Sequence, residues 1–280
     1  MNKNIKYIQA NCNIGQKLFG VRHGPKYLLQ SLENYKLLSH ENHVSIVNYD
    51  KFINGNGNSK AYQKLYNQVS LSLAFQKFPI ILGGDHSISS ASVQAVFDKY
   101  KEDVKVLWID AHADINTPET SDTGNTHGMP VASLFNLMKP VIDTSIYIPS
   151  YDQIIYLGLR SIDDEEQKVL DGNNIQYYTQ DDINSLGIKK VMKEINSELN
   201  NYKVHISFDV DVLDPKYIPC TGTPVDNGME LQDCHYLLDN LVNNQEIISL
   251  DFVEFNPMIS NEDDLHITLD NCMSLLSKFH

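Results

Sequence analysis

The sequence predicts an α/β fold: a single domain of three layers, in which a mainly parallel sheet of about eight strands lies between two layers of helices. Two observations support this fold class. Short segments rich in β-branched and aromatic residues alternate with longer segments of helical spacing along the whole chain, which is typical of a parallel sheet covered by helices. No proline-rich linker, internal repeat or block of charged residues divides the 280 residues, so we expect one domain over residues 1–280.

Eight short segments have the composition and length of strands. In chain order they are Lys6–Ala10, His43–Asp50, Pro79–Leu82, Val104–Asp110, Gln153–Leu159, Ile175–Tyr178, Val204–Val210 and Ile247–Val253. Longer segments between them place apolar residues at helical spacing. These are Ala61–Gln76, Ala91–Tyr100, Asp181–Leu199, Leu231–Leu241 and Asp264–Phe279. We expect a flexible loop at Asn54–Asn58 (NGNGN) and turns at Asn173–Asn174 and Asn243–Asn244.

Composition narrows the classes of function. The net charge is −14, from 22 basic and 36 acidic residues, which argues against binding to nucleic acid or to an anionic membrane surface. The four cysteines (Cys12, Cys220, Cys234 and Cys272) are scattered and form no CxxC pair, as expected of reduced thiols. The first residues are too polar for a signal peptide, and no apolar run approaches ~18 residues. We expect a cytoplasmic protein.

Acidic and histidine residues gather where predicted strands end, and ligands of open α/β sheets bind at that edge. In WIDAHADINTP, residues 108–118, Asp110, His112 and Asp114 follow a buried apolar run. An isolated buried carboxylate is unfavourable, because it must be paired or lose its charge. Side chains two apart on an extended segment point the same way, so these three could converge on one cation.

A second strand end has similar chemistry. In PIILGGDHS, residues 79–87, Gly83 and Gly84 permit a sharp turn that carries Asp85 and His86. Alone, this motif is equally typical of a glycine turn followed by a helix cap at the serine. It gains weight only because it occurs together with the other acidic strand ends.

The third strand end, HISFDVDVLDP at residues 205–215, places Asp209 and Asp211 two apart after apolar residues. A single DxD at a strand end is often a solvated turn. Four converging aspartates, however, would repel one another unless neutralised, and two divalent cations would balance them. Aspartate and histidine ligands suit Mn²⁺ better than a thiolate-bound Zn²⁺, with Co²⁺ or Ni²⁺ as alternatives in vitro. Two such ions can generate hydroxide near neutral pH, which predicts metal-assisted hydrolysis.

These motifs, in this order and spacing, resemble the arginase/agmatinase (ureohydrolase) family. The resemblance runs over nearly the whole chain, through GVRHGP, GGDHS, DAHADINTP, SFDVDVLDP, TGTPV and EFNP. It implies an arginase-like domain that holds two Mn²⁺ ions per subunit, with Asp110 and Asp209 bridging them. The implied metal ligands are His86, Asp110, His112, Asp114, Asp209 and Asp211.

The resemblance also implies a mechanism. A hydroxide held between the ions attacks the guanidinium carbon of the substrate, and Asp114 passes a proton to the leaving amine. Glu254, in LDFVEFNP, pairs with the guanidinium, and a carboxylate does match that group in charge and geometry. His127, in GNTHG, is placed like the family's proton shuttle to solvent.

The loop DINTPETSDTGNTHG resembles that of arginases more than that of agmatinases, whose substrate lacks the α-carboxylate. Amide and hydroxyl side chains there are physically suited to hold a carboxylate. The implied substrate-binding residues are Asn116, Ser121, Thr123, Asn125, Asp163, Glu166 and Thr223.

Two positions depart from the family pattern. Ser161 stands where arginases usually carry an aspartate near the α-amino group of the substrate, which leaves Asp163 and Glu166 there. Val212 replaces a glycine that is common after the DVD motif.

Members of the family usually form trimers, so the resemblance implies a homotrimer or a hexamer.

The leading interpretation is a manganese-dependent hydrolase that converts L-arginine to L-ornithine and urea. Two alternatives stay open on the sequence alone. The chain could be another ureohydrolase, acting on agmatine, guanidinobutyrate or formimidoylglutamate. It could also be a catalytically silent family member that serves as a binding subunit, although all the predicted ligands are present.

Overall fold

Eight parallel strands form one sheet in the part of the chain that the computed structural model describes, residues 4–38, 44–48, 56–142 and 147–280, with side chains from residue 60 onward in the second helix. The strands are β1 (Ile5–Asn11), β2 (Val44–Asn48), β3 (Phe78–Gly83), β4 (Val104–Ile109), β5 (Ile154–Leu159), β6 (Gln176–Thr179), β7 (Lys203–Asp209) and β8 (Glu246–Val253). Their order in the sheet is β2-β1-β3-β8-β7-β4-β5-β6. Each neighbouring pair is parallel.

Helices cover both faces of this sheet. Within the described ranges they are α1 (Gly24–Asn34), α2 (Asn56–Ala74), α3 (Ser89–Tyr100), α4 (Pro130–Leu134), α5 (Asp164–Gly172), α6 (Gln180–Leu186), α7 (Ile188–Leu199), α8 (Leu231–Asn244) and α9 (Glu262–Leu276). One core packs α1, α7, α8 and α9 against the sheet, and a second core packs α2 and α3 against the other face. Both faces are buried, which explains the continuous apolar runs of the central strands. The predicted three-layer fold class is confirmed.

The eight predicted strands are all present, each within a few residues of its expected bounds. The predicted second strand contains β2, while His43, Tyr49 and Asp50 lie outside the described residues. The regular alternation of apolar runs was therefore a sound guide to the sheet.

Several helix and loop predictions were wrong. The expected helix Asp181–Leu199 is two helices, because Gly187 takes a φ of +81° between α6 and α7. The expected loop Asn54–Asn58 lies in α2 from Asn56 onward, with its first two residues outside the described part. Packing of the buried Tyr62 and Leu65 on the sheet stabilises α2 despite the poor helix propensity of Asn and Gly.

The expected turn at Asn243–Asn244 is instead the last turn of α8, whereas Asn173–Asn174 does form a turn after α5. Helix α1 was not predicted, although its Pro25 stands in the first turn, where proline is favoured. Helix α5 was also missed. Its start is marked by a capping box between Asp163 and Glu166.

All four cysteines fall within the described residues, and each is buried with a free thiol. None of the helices in the described ranges has both the length and the apolar character that a membrane crossing needs.

Candidate two-metal active site

The functional candidates meet at the carboxyl ends of four neighbouring strands at the centre of the sheet. The GGDHS motif follows β3, DAHAD follows β4, DVD ends β7, and Glu254 follows β8. Because the four strands are parallel and adjacent, segments far apart in sequence converge at one edge. The six predicted ligands lie together there.

The first group of donor atoms surrounds the ring of His86. Its Nδ1 lies 3.0 Å from Asp110 Oδ2, 3.0 Å from Asp114 Oδ2 and 3.2 Å from Asp209 Oδ2. All four side chains are buried. His86 stacks on Trp108 with ring centroids 4.4 Å apart, and the indole Nε1 donates to Asp110 Oδ2 at 3.1 Å. The indole therefore orients both an imidazole and a carboxylate of this group.

The second group surrounds the half-buried ring of His112. Its Nδ1 lies 3.2 Å from Asp211 Oδ2 and 3.5 Å from Asp110 Oδ1. Asp110 thus offers one oxygen to each group. Asp209 faces the first group with Oδ2, while its Oδ1 accepts the backbone N–H of Asp211 at 2.8 Å. Asp110 would therefore hold an ion in either group.

The donor set fits divalent cations. His86 Nδ1 and Asp114 Oδ2 are buried, and within the described ranges neither has a hydrogen-bond partner, although both face the same point between the carboxylates. Leaving two such atoms unpaired would be unfavourable unless they bind a cation. In each of the groups His86–Asp110–Asp209 and Asp110–His112–Asp211, the donor atoms lie within 4.8 Å of one another.

The electrostatics of the group support the same conclusion. Burial, reinforced by the charges of Asp211 and Asp110, raises the pKa of Asp209 well above its usual range. Burial and the nearby Asp110 raise the pKa of Asp114 to about 6. Burial alone would lower the pKa of His86, but the surrounding carboxylates outweigh it and raise that pKa. Burial and mutual repulsion thus raise the proton affinity of Asp114 and Asp209, which is the environment that bound cations would offset.

The convergence does not arise as we expected from the sequence. Strand β4 ends at Ile109, so His112 and Asp114 lie in the following loop rather than on an extended strand. Asp114 takes a left-handed φ of +53°, an uncommon conformation for a residue other than glycine. The loop, not strand periodicity, brings these side chains together.

The glycines of GGDHS also act differently from our expectation. Neither Gly83 nor Gly84 has a positive φ. Instead, the chain passes so close to the loop after β1 that a Cβ on Gly84 would lie 1.9 Å from the carbonyl oxygen of Cys12. Glycine is needed there for close approach.

Glu254 and His127 lie next to the first group. Glu254 is 1% exposed and has a left-handed φ of +68°, a strained conformation of the kind that persists at functional sites. Its Oε1 accepts the backbone N–H of His86 at 2.8 Å and lies 3.4 Å from His127 Nδ1. Its Oε2 accepts from Gln16 Nε2 at 2.6 Å. Glu254 is therefore a fixed, oriented carboxylate.

The two side chains shift each other's ionisation. Burial would lower the pKa of His127, but its contact with Glu254 outweighs burial and raises that pKa to about 9. Burial would raise the pKa of Glu254, but His127 and the two N–H donors outweigh it and lower that pKa. Without a ligand, the pair is thus a carboxylate beside an imidazolium.

A cavity of about 270 Å³ opens above this centre. Its wall includes all seven residues predicted to bind substrate, together with Ser161 and Asp122. His86, His112, Asp114, His127 and Asp209 also line it. A cavity of this size suits a small molecule rather than a polymer.

Several cavity residues already hold one another in place. Asn116 Nδ2 donates to Asp163 Oδ2 at 2.8 Å, and Thr223 Oγ1 donates to Asp211 Oδ2 at 2.9 Å. Glu166 accepts the backbone N–H groups of Ile115 and Asp163, both at 3.1 Å, and burial raises its pKa to about 7. Asp163 is therefore better placed than Glu166 to receive a ligand cation.

Sequence reasoning missed two residues that support the centre, Gln16 and Arg160. The guanidinium of Arg160 donates to the carbonyls of Asp211 at 2.6 Å, Val212 at 3.0 Å and Val225 at 2.8 Å. It thereby ties the end of β5 to the loop that carries a predicted ligand. The arginine follows directly after a strand, and that position was the available signal.

Together, the fold and this site define an α/β protein with a candidate two-metal centre at the carboxyl edge of its sheet. The chain belongs to the arginase family, whose family model matches residues 4–278. It is accordingly an arginase-type ureohydrolase.

Individual relatives agree over nearly the full length. The chain is 35% identical to an arginase of Staphylococcus aureus, covering 99% of this chain and 97% of that one. It is also 35% identical to an arginase of Saccharomyces cerevisiae, covering 95% and 91%. The crystal structure of an Entamoeba histolytica arginase in complex with L-ornithine superposes with a TM-score of 0.91 at 32% identity, covering 100% and 98%.

Proposed function

We propose that this protein is an arginase that hydrolyses L-arginine to L-ornithine and urea and uses two Mn²⁺ ions per subunit. The observation that carries the proposal is the arrangement within one cavity. His86, His112, Asp114, Asp209 and His127 line the cavity together with a loop of amide and hydroxyl side chains. Asp110, Asp211 and Glu254 are buried directly behind them, in contact with these histidines. The arginase relatives, and the L-ornithine bound to one of them, support this substrate.

The residues that would hold the ions are those of the two groups. His86, Asp110, Asp114 and Asp209 would hold one, and Asp110, His112, Asp209 and Asp211 the other, with Asp110 and Asp209 shared. When bound, the ions supply a hydroxide nucleophile near neutral pH and balance the four carboxylates. Mn²⁺ is proposed because the ligands are oxygen-rich with one imidazole per ion.

The remaining polar groups would bind and orient the guanidinium. Glu254 lies beneath His86 and His127, where a carboxylate can pair with a planar cation through charge-assisted hydrogen bonds. Asp114, whose Oδ2 lies 3.0 Å from His86 Nδ1 and whose pKa is raised to about 6, would carry a proton to the leaving amine. His127 is partly exposed and joins the buried carboxylate to the cavity, which suits a proton shuttle.

The far end of the cavity would bind the amino-acid end of the substrate. Asn116, Ser121, Thr123 and Asn125 can offer amide and hydroxyl donors to the α-carboxylate. Asp163 would receive the α-ammonium. Ser161 lines the same cavity, so its departure from the family pattern bears directly on binding.

The experiment that tests the proposal compares guanidino substrates. After loading with Mn²⁺, the purified protein is assayed for urea with L-arginine, agmatine and guanidinobutyrate, and for formamide with formimidoylglutamate, which has no guanidinium; the amine product is identified by mass spectrometry. We expect L-arginine to have the highest kcat/KM by at least about tenfold, because each guanidino analogue loses the charged hydrogen bonds of the α-carboxylate or of the α-ammonium. Equal or faster turnover of agmatine would contradict the proposal, and no turnover of any compound would favour a silent subunit.

A substitution at Ser161 tests the binding of the α-ammonium. Ser161→Asp adds a carboxylate to the cavity wall, and an ionised acceptor is about twice as strong as a neutral one. We expect KM for L-arginine to fall severalfold with kcat nearly unchanged, the pattern of added uniform binding. An unchanged KM would show that Ser161 does not contact the substrate.

A cytoplasmic location and assembly as a homotrimer or hexamer stay predictions from the sequence.

A further inference from the structure

A row of polar side chains lies buried behind the candidate metal centre, on the face of β7 and β8 that meets α3. The register pairs His205 with Ser249 and Ser207 with Asp251 across the two strands. All four residues are 0% exposed. Polar groups in the middle of a parallel sheet are unfavourable unless hydrogen bonds satisfy them, so this row calls for a physical reason.

A chain of hydrogen bonds connects this row to a metal ligand. His86 Nε2 lies 2.8 Å from Ser207 Oγ, on the side of the ring opposite the carboxylates. Ser207 Oγ lies 3.5 Å from Ser89 Oγ, at the start of α3. Ser89 Oγ donates to Asp251 Oδ2 at 2.7 Å. Two hydroxyls therefore join the imidazole to a carboxylate that is fully buried.

Asp251 receives a second serine of the same helix. Ser92 Oγ donates to the same oxygen, Asp251 Oδ2, at 2.5 Å. His205 Nε2 lies 3.6 Å from that oxygen, and its Nδ1 lies 2.7 Å from Ser249 Oγ. Asp251 Oδ1 and His205 Nε2 have no hydrogen-bond partner in the described part of the chain. The carboxylate therefore acts through Oδ2, where both serines point their protons.

The direction of this chain decides which nitrogen of His86 carries the proton. Ser89 donates its one hydroxyl proton to Asp251, so its oxygen is left to accept from Ser207. Ser207 in turn accepts from His86 Nε2, which must then carry the proton. When the ring is neutral, Nδ1, which faces the carboxylates of the metal centre, is thereby left with a lone pair.

We propose that Asp251 is a positioning residue that acts through Ser89 and Ser207 to hold His86 in the tautomer whose Nδ1 can bind the metal ion. The inference rests on the two-metal centre of the proposed function, but it does not depend on which guanidino compound is the substrate. Outer hydrogen-bond partners of metal-bound histidines commonly fix the ring in this way.

The two serines of α3 give a matched pair of variants. Ser89 and Ser92 lie on the same helix, are both 0% exposed and donate to the same oxygen of Asp251. Only Ser89 stands between Asp251 and His86. If these serines serve only to satisfy a buried carboxylate, Ser89→Ala and Ser92→Ala must have equal effects.

The test measures binding of Mn²⁺ to metal-free protein by equilibrium titration, with free Mn²⁺ followed by electron paramagnetic resonance and without substrate. We expect Ser89→Ala and Ser207→Ala to weaken the binding of one of the two Mn²⁺ ions by about tenfold or more. The Mn²⁺ affinity of Ser92→Ala should stay within about twofold of the wild type. Thermal unfolding of the metal-free proteins serves as the folding control, and the two α3 variants should be destabilised alike.

The outcomes separate the two proposals. If the wild type binds two ions and the Ser89 and Ser92 variants lose affinity equally, or neither loses any, the hydrogen-bond chain has no such role and the inference is wrong. If the wild type binds no Mn²⁺, the proposed metal centre fails, and the inference fails with it. Asp251→Asn, which keeps the shape and removes the charge, should follow Ser89→Ala.

Discussion

The pairing of His127 with Glu254 is the residue-scale feature with the clearest consequence for stability. Contact with the carboxylate raises the pKa of His127 from 6.5 to about 9 against the effect of burial. A group whose pKa is raised on folding stabilises the folded state fully below its unfolded pKa, and this stabilisation is lost as pH rises through its folded pKa. In the metal-free protein, the stabilisation by His127 is therefore lost as pH rises from 6.5 to about 9.

We predict that His127→Asn removes this pH dependence. A rise from 6.5 to about 9 corresponds to roughly 3 kcal/mol of unfolding free energy that the wild type loses across this pH range. Urea unfolding of both metal-free proteins at several pH values measures the difference between them, which should shrink as pH rises. His266→Asn, at an exposed position of α9, is the control. A difference that is independent of pH would show that the pair is not ionised as described.

Single functional residues could be predicted where a sequence motif itself contains the acidic or histidine side chains. The six ligand candidates and Glu254 stand in acidic strand ends, and the structure brings them together. The roles of Gln16, Arg160 and Asp251 could not be found in this way, because each acts through contacts with residues remote in sequence. Such contacts exist only once the strands have paired, and the one local signal was the position of Arg160 directly after a strand.

At the scale of elements, strands were easier to predict than helices and loops. The central strands are buried on both faces, so their apolar runs are unbroken and their ends are sharp. The break between α6 and α7 depends on one glycine inside an otherwise helical pattern, and the pattern alone did not show it. The conformation of the DAHAD loop, with Asp114 at positive φ, was equally invisible.

Val212, which replaces a glycine common in the family, packs against a glycine at the end of β5. Gly158 has a φ of +99°, and a Cβ there would lie 2.5 Å from Val212 Cγ2. The valine side chain therefore fills the space beside a glycine, while Arg160 holds its carbonyl. We conclude that this chain accommodates Val212 by packing it against β5, next to the loop of Asp211.

At the scale of the whole molecule, the sheet order explains why the site exists. Strands β3, β8, β7 and β4 are neighbours, although they are spread over most of the chain, and polar residues of the site lie at or directly after the end of each strand. The four aspartates, buried and crowded, are a source of repulsion in the metal-free fold. Two divalent cations bound there would offset this repulsion.

Anomalous diffraction at the manganese edge, from crystals grown with Mn²⁺, measures directly whether two ions bind at these strand ends. We predict two peaks ~3.5–4 Å apart, one among His86, Asp110 and Asp114, the other among Asp110, His112 and Asp211. A single peak, or manganese bound elsewhere while the crystallised protein still releases urea from L-arginine, would contradict this prediction.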